Sequence, residues 1–550
     1  MQLLHKWFSK RPKQTAPIAG SGQVEMRSGG FGWQVDDWTR LDRFLILGSE
    51  GGTFYVSEQQ LTRESAESVE RCIQSDGVRV VDRVVEISAG GRAPKNDPSL
   101  YVLAMCAKLG DEQTKVTAYK ALPKIARIGT HLFHFCEYAK AFGGLGGNGF
   151  KRALARWYLN TSPRRLALQA VKYQQRDGWS HRDVLRLAHP MATSEEHQAI
   201  FRWIVKGWQG ELDCVDAVQD DLRLIWAFEK AKTARTVKEI VPLITDYRLP
   251  HECVPNDLKQ HAAVWEALLD SMPPGAMLRN LNKMTAVGLL TNTSQATERV
   301  RGVLGDVVAL SRARVHPMAV LIALKTYAAG HGFKGSMSWS PVGRIVDALD
   351  GAFYLAFKGV TPTGRRLCLA LDVSGSMGSP VSSTRFLSCR EAVGALALVT
   401  ANVEPCYEMV AFTSGGPGCV SYGNGGWGFG TGISPVSITP RMRLDSVLSK
   451  LESLPMGATD CALPMRWALK TKTQVDCFVI YTDNESWAGD VHVDRALNDY
   501  RQRMGIPAKL VAVALSGDRF SVANTNDAGQ MDVVGFDTAT PNIISDFVSN

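Results

Sequence analysis

The sequence predicts two domains: an all-α array of helical repeats, followed by an α/β domain with a doubly wound, mainly parallel sheet. Three observations carry this. From Ser57 to about Phe357, apolar residues recur at three- and four-residue spacing. After TPTGRR, residues 361–366, apolar strand-like runs alternate with amphipathic helices. The 550 residues also exceed the ~100–200 of a single domain.

Each element follows in chain order. The first 30 residues are polar and basic and read as a flexible extension. RFLILGSEGGTFYV, residues 43–56, reads as a small hairpin turning at Gly-Gly. Helical patterns then run through ESAESVERCI, GVRVVDRVVEIS, PSLYVLAMCAKLG, TKVTAYKALPKIAR, THLFHFCEYAKAF, FKRALARWYLN and HQAIFRWIVKG. Short Gly, Pro or Asn breaks separate them, which is the rhythm of stacked helical hairpins. Beyond residue 361, RLCLALDVS, YEMVAFTS, VDCFVIYTD, AKLVAVALSG and MDVVGFD read as strands. SCREAVGALALVTANV, MRLDSVLSKLESL, DCALPMRWALKTK, VDRALNDYRQRM and PNIISDFVS read as helices between and after them. Such alternation buries a parallel sheet under helices on both faces. SGGPGCVSYGNGGWGFGTGISP, residues 414–435, reads as a long Gly-rich loop, either covering the site described next or inserted as a flexible segment.

LDVSGSMG sets Asp372, Ser374 and Ser376 just past an apolar strand. Thr459 in MGATD and Asp483 ending VDCFVIYTD add two oxygens at other loop positions. In open α/β sheets, ligands bind at the carboxyl ends of the strands. Five oxygen donors of this kind suit Mg²⁺ or a similar hard divalent cation such as Mn²⁺. Asp460 and Glu485 flank the set.

Charge is uneven. The whole chain carries +8, made of +11 over residues 1–360 and −3 over residues 361–550. Residues 151–190 alone hold nine Lys and Arg against two Asp. That concentration suits a polyanion, with a solvated helix surface as the alternative. Within VKYQQRDGWSHRDVLRLAHP, Lys172 and Arg176 are expected four apart on one helix face. His181, Arg182, Arg186 and His189 are expected on the next helix, with Tyr173 and Trp179 interleaved. Lys151, Arg152, Arg156, Arg164 and Arg165 extend the patch upstream. Arg279 and Lys283 in MLRNLNKM, and Lys334 in HGFKGSMSW, are weaker candidates to line a polyanion path.

Eleven cysteines contain no C-x-x-C pair and many sit in apolar contexts, so they read as buried thiols of a reducing compartment. No signal-peptide pattern and no run near ~18 apolar residues is present, which points to a cytoplasmic protein without membrane contact.

RFLILGSEGGTFYV, KYQQRDGWSHRDVLRLAH, WIVKGW, MLRNLNKM, HPMAVLIALKTYAAGHGFKG, ALDGAFYLAF, LDVSGSM and YTDNESWAG, in this order, resemble the Ro ribonucleoprotein family, also called the Ro autoantigen or TROVE-module family. The DxSxS motif with its later Thr and Asp resembles the metal-ion-dependent adhesion site of von Willebrand factor A domains. The resemblance implies an extension over 1–30, a TROVE ring of HEAT-like helical repeats over 31–362, and a von Willebrand factor A-like domain over 363–550. It implies a metal whose open position accepts a partner's carboxylate. It also implies a small noncoding Y RNA on the outer surface, with Lys172, Arg176 and His189 at contact positions. Single-stranded 3′ ends of misfolded or structured RNAs would enter the central hole. A 3′-to-5′ exoribonuclease is an expected partner of bacterial relatives, in ribosomal RNA maturation or decay, and the protein itself is expected to be a monomer. GATD here replaces the commoner GGTD, which leaves Thr459 in place.

The residues bear on three functions. The first is a non-enzymatic RNA-binding protein. The second is a protein-interaction scaffold working through the metal. The third is a metal-dependent RNA hydrolase, disfavoured because one metal on serines, a threonine and two aspartates lacks a nuclease's paired-metal carboxylates.

Overall fold

A computed structural model describes residues 23–25, 31–33, 36–48, 53–55, 61–63, 66–93, 95–208, 222–332, 336–424, 430–457, 459–483, 491–516, 523–524, 527–536 and 538–550. Most of the expected 1–30 extension lies outside these residues, as do Lys334 and Glu485. The chain divides into two compact units. One, largely helical, comprises residues 67–315 and 323–359; the other comprises residues 1–66, 316–322 and 360–550.

In the helical unit, helices pack on the next and on the next but one. Glu67–Gly90 packs on Asp97–Leu109 and Glu112–Ile125, and Asp97–Leu109 also packs on Gly129–Ala141. Glu112–Ile125 in turn packs on Asn148–Leu159, and Pro163–Lys172 on Glu195–Lys206. This neighbour pattern is that of a helical-repeat stack, in which each repeat buries its apolar face on the adjacent ones. Caps set the breaks: Asp111 accepts the Thr114 amide at 2.8 Å, and Ser194 accepts that of His197 at 3.3 Å.

The second unit is an α/β sheet. Strands β1 (Gln23–Glu25) and β2 (Phe31–Trp33) form a separate antiparallel ribbon. β3 (Thr53–Tyr55) belongs to the main sheet, whereas β4 (Gln175–Arg176) and β5 (Trp179–Ser180) form a hairpin in the helical unit. The main sheet continues with β6 (Leu367–Asp372), β7 (Tyr407–Phe412), β8 (Val420–Asn424), β9 (Gly430–Pro435), β10 (Cys477–Thr482), β11 (Lys509–Ala514) and β12 (Gln530–Val534). Its order is β3-β12-β11-β10-β6-β7-β9-β8, parallel except where β9 meets β7 and β8. β6 and β10 are buried along their whole length, which is why their sequences are unbroken apolar runs. Cys368, Ala370, Phe412, Trp467, Phe478 and Tyr500 belong to one core cluster.

Two local expectations are corrected. Residues 43–47 are not a strand. They end the helix Asp37–Leu47, capped by Asp36 and closed by Gly48 at φ 77°. Only 53–55 is a strand, and it pairs not with its neighbour in sequence but with β12, in parallel: Thr53 with Asp532, Tyr55 with Val534. The Gly-rich segment 414–435 is not a loop throughout. β8 and β9 extend the sheet beyond β7, with residues 425–429 outside the described set.

Ten described cysteines are free thiols, eight of them buried. No described helix is long and apolar enough to cross a membrane.

Candidate functional site

The basic stretch is a hairpin between two helices, which corrects the shared helix face expected for Lys172 and Arg176. The helix Pro163–Lys172 stops at Lys172. Asp177 (φ 52°) and Gly178 (φ 76°) then turn β4 into β5. Two successive positive φ angles with an Asp-Gly pair make a type I′ turn, whose twist matches that of a hairpin. Arg176 is thereby exposed on a strand. Asp177 is held from below, its Oδ2 2.5 Å from His134 Nδ1. Trp179 Nε1 donates to Glu137 at 2.8 Å. Ser180 and Asp183 form a reciprocal capping box that starts the helix His181–Ala188.

Lys172 and Arg176 lean on acids, Lys172 Nζ 3.5 Å from Glu252 and Arg176 Nε 3.6 Å from Asp177. Both contacts are long and partly solvated, so they position the cations at little cost. Lys172 also lies 5.6 Å above the Tyr173 ring. Arg182 and Arg186 are exposed four apart, and exposed His189 closes their helix in the left-handed region, φ 46°. None of these three makes an ion pair among the described residues. His181 is the exception. It is buried, its Nδ1 lies 2.9 Å from the Tyr158 hydroxyl, and burial holds its pKa down to about 4. It is a core residue.

Lys151 (half-buried) and Arg152 (exposed) stand on Asn148–Leu159, which packs against His181–Ala188. Arg152 Nε donates to the Asn148 carbonyl of its own helix at 3.2 Å. Arg279 and Lys283 are elsewhere, on Pro274–Ala286; Lys283 Nζ donates to Gln260 Oε1 at 2.6 Å.

The second site lies at the carboxyl end of β6. Consecutive strands run to opposite sides of β6, β7 on one and β10 on the other, so Asp372 sits at the topological switch point of the sheet. Asp372 is 2 % exposed. Its Oδ1 accepts the Ser374 amide at 2.8 Å, and its Oδ2 accepts the Thr459 and Thr482 hydroxyls, each at 3.0 Å. Ser374 Oγ and Ser376 Oγ are 2.9 Å apart, brought together by the 3₁₀ turn Gly375–Gly378. Burial raises the Asp372 pKa, the Ser374 amide opposes the rise, and the negative charge of Asp483 adds to it. Asp483 follows β10, its carbonyl taking the Ser516 amide at 2.9 Å and hydroxyl at 2.6 Å. A buried carboxylate beside a second one, with hydroxyls converging, is an arrangement that a hard cation would stabilise. The five expected residues are thus drawn to one sheet edge. No described group of three or more His, Cys, Asp or Glu offers an alternative metal site. Thr482 was not singled out from sequence; its place one residue before the strand-ending Asp483 was the available signal.

A helical-repeat unit carrying an exposed basic hairpin, followed by a sheet domain with a DxSxS switch-point site, is the arrangement of a TROVE protein with a von Willebrand factor A domain. The TROVE domain family matches residues 24–237 and 250–326, and the Ro60 vWA domain family matches residues 366–548. The chain belongs to the Ro60 family. It is 40% identical over 528 residues to the RNA-binding protein RO60 of Deinococcus radiodurans, covering 96% of this chain and 95% of that one. It is 35% identical to the RNA-binding protein RO60 of Caenorhabditis elegans, covering 98% and 92%. The crystal structure of the Deinococcus radiodurans RO (RSR) protein superposes with a TM-score of 0.85 at 39% identity, covering 94% of this chain and 99% of that one.

Proposed function

We propose that this protein is the non-enzymatic core of a small ribonucleoprotein, binding a Y-type noncoding RNA at the β4–β5 hairpin. The observation that carries this is the hairpin itself. The I′ turn presents Arg176, and the helix begun by the capping box presents Arg182, Arg186 and His189, to solvent beside half-buried Lys172, more cations than local carboxylates neutralise. The same reading gives single-stranded 3′ ends of misfolded or structured RNAs a path through a ring of repeats, where Arg279, Lys283 and Lys334 are candidates to line it. It places the particle in cytoplasmic RNA quality control beside a 3′-to-5′ exoribonuclease. Free, mostly buried thiols are in keeping with a reducing compartment.

Lys172→Ala combined with Arg176→Ala is expected to weaken binding of a structured RNA. For two lost phosphate contacts, the salt dependence should become shallower by roughly 0.9 per contact. Affinity and slope equal to wild type, measured by anisotropy titration, would remove the hairpin from the interface.

The second reading concerns the switch-point site. Asp372, Ser374, Ser376, Thr459 and Asp483 would hold Mg²⁺, and the ion would supply a Lewis-acidic docking point for a partner's carboxylate. Exposed Met456 (52 %) lies beside this motif and offers an apolar contact next to the ion. Asp372→Ala is expected to abolish Mg²⁺ binding by calorimetry while leaving RNA affinity nearly intact. A large loss of RNA affinity in a folded variant would mean that the two sites work as one. Labelled RNA incubated with pure protein and Mg²⁺ should remain uncleaved; turnover would favour the hydrolase reading.

A further inference from the structure

We propose that a recess in the helical unit, where Pro163–Lys172 packs on Arg223–Thr233 and the latter on Val237–Tyr247, is a separate binding site for an unpaired nucleotide and its flanking phosphates. This deepens the RNA reading above and rests on it.

The recess has a volume of about 830 Å³, the size range of small-ligand sites. Four arginines line it, Arg164, Arg165, Arg223 and Arg248, against one acid, Asp246. All four are exposed. Among the described residues Arg164 and Arg248 make no ion pair, and Arg165 donates only to the Arg127 carbonyl, at 3.3 Å. Arg248 closes its helix at φ 54°, a left-handed cap usually taken by glycine or asparagine. The fold therefore carries an arginine where a smaller residue costs less, on the order of 1 kcal/mol. The N-terminus of Pro163–Lys172 opens on the same recess through Ser162, which makes no side-chain cap bond. Its partial positive charge adds to the arginines.

The recess is not only cationic. Tyr247, half-buried and held against Trp226 with ring centroids 5.5 Å apart, lines it, and so does Leu168, 38 % exposed. A base can stack on such a surface while arginines take the phosphates. A compact inorganic anion would leave the apolar part unused.

Its place relative to the hairpin also favours a nucleic acid strand. Arg164, Leu168 and Lys172 stand at i, i+4 and i+8 of one helix, hence in one row along its surface. At ~1.5 Å per residue, this row spans roughly 12 Å from the recess to the lysine beside the hairpin. An RNA held at the hairpin thus has a row running from half-buried Lys172 over exposed Leu168 to exposed Arg164, basic at both ends, for a single strand leaving its duplex.

The test uses the full-length chain and two synthetic RNAs, a blunt hairpin duplex and the same duplex with a single-stranded tail. Wild type should bind the tailed RNA more tightly. Arg164→Ala with Arg248→Ala should weaken the tailed RNA several-fold and leave blunt binding unchanged. The salt slope for the tailed RNA should fall by about 0.7 per lost contact. Tyr247→Ala should cost on the order of tenfold on the tailed RNA without altering that slope. Lys172→Ala with Arg176→Ala should weaken both RNAs alike. The recess proposal is overturned if the tail adds no affinity to wild type, if the arginine variant binds the tailed RNA like wild type, or if it weakens the blunt duplex equally. It is also overturned if polyglutamate displaces the tail at equal charge. Failure of the hairpin variant alone, with the tail effect intact, counts against the hairpin reading and upholds the recess.

Discussion

His181 shows how one side chain can face a binding surface yet belong to the core. It opens the helix that carries Arg182 and Arg186, but its ring lies between Tyr158, Trp157 and Phe133, with centroids 5.7, 6.1 and 4.8 Å away. Burial lowers its pKa from 6.5 to about 4. Above pH 6.5 it is neutral both folded and unfolded and contributes no pH dependence. As pH falls through 6.5, the unfolded chain takes a proton that the folded chain refuses. Stability is therefore lost between pH 6.5 and about 4, by about 2 kcal/mol at pH 5 from this residue. His131 behaves in the same way, held down to about 4 by burial and then by the neighbouring Arg127 charge. His181→Gln should lower the melting temperature at neutral pH yet flatten its fall between pH 7 and pH 5; a parallel fall would show that His181 does not carry the effect. In the sheet unit, Arg43 is 7 % exposed and its Nη2 donates to the carbonyls of Asp527 and Gln530, at 2.9 and 3.2 Å. Asp527 is further held by buried Arg501 at 2.6 Å. Arg43→Ala strands buried acceptors and should destabilise the sheet unit by a few kcal/mol, roughly 3. Urea unfolding followed on the sheet unit reads this directly, and an unchanged midpoint would contradict it.

At the scale of elements, the β4–β5 hairpin turns on a single glycine. Gly178 has φ 76°, so Gly178→Ala should cost about 1 kcal/mol locally and loosen the presentation of Arg176. RNA affinity should then drop with the salt slope preserved, since no cation is removed; a lost slope would point to a missing contact instead. This hairpin also marks where sequence reasoning failed. Asp-Gly was present, but the strands beside it are two residues each, with no alternation long enough to register against the helical pattern on both sides. By contrast, RLCLALDVS and VDCFVIYTD were legible because strands buried on both faces must be apolar throughout. Asp372, Ser374, Ser376 and Asp483 of the candidate site were legible for the same reason, since they end or follow such strands; Thr459 instead precedes the helix Leu463–Thr471. β3 was partly legible as a strand, but its partner was not. The nearest apolar run in sequence was the obvious mate, and that run is the helix Asp37–Leu47, whose cap at Asp36 and stop at Gly48 outweigh its β-like composition.

At the scale of the whole molecule, the sheet unit is discontinuous, since residues before 67 and after 359 share it. The family match to the C-terminal domain begins at residue 366, so that domain alone omits both β3 and the Arg43 helix. A fragment of residues 363–550 should therefore expose the edge of β12 and melt below the same fragment supplied with residues 36–66. Equal melting temperatures and equal solubility would show that the N-terminal strand is dispensable.

The pairing of Tyr55 with Val534 also sets a schedule. A ribosome releases the second of these residues about 25 to 95 s after the first, at ~5–20 residues per second. The helical repeats, whose contacts are local, can fold as they emerge. Throughout that interval β3 has no β12 to join. The protein must keep β3 unpaired, and safe from other chains, until β12 has been made.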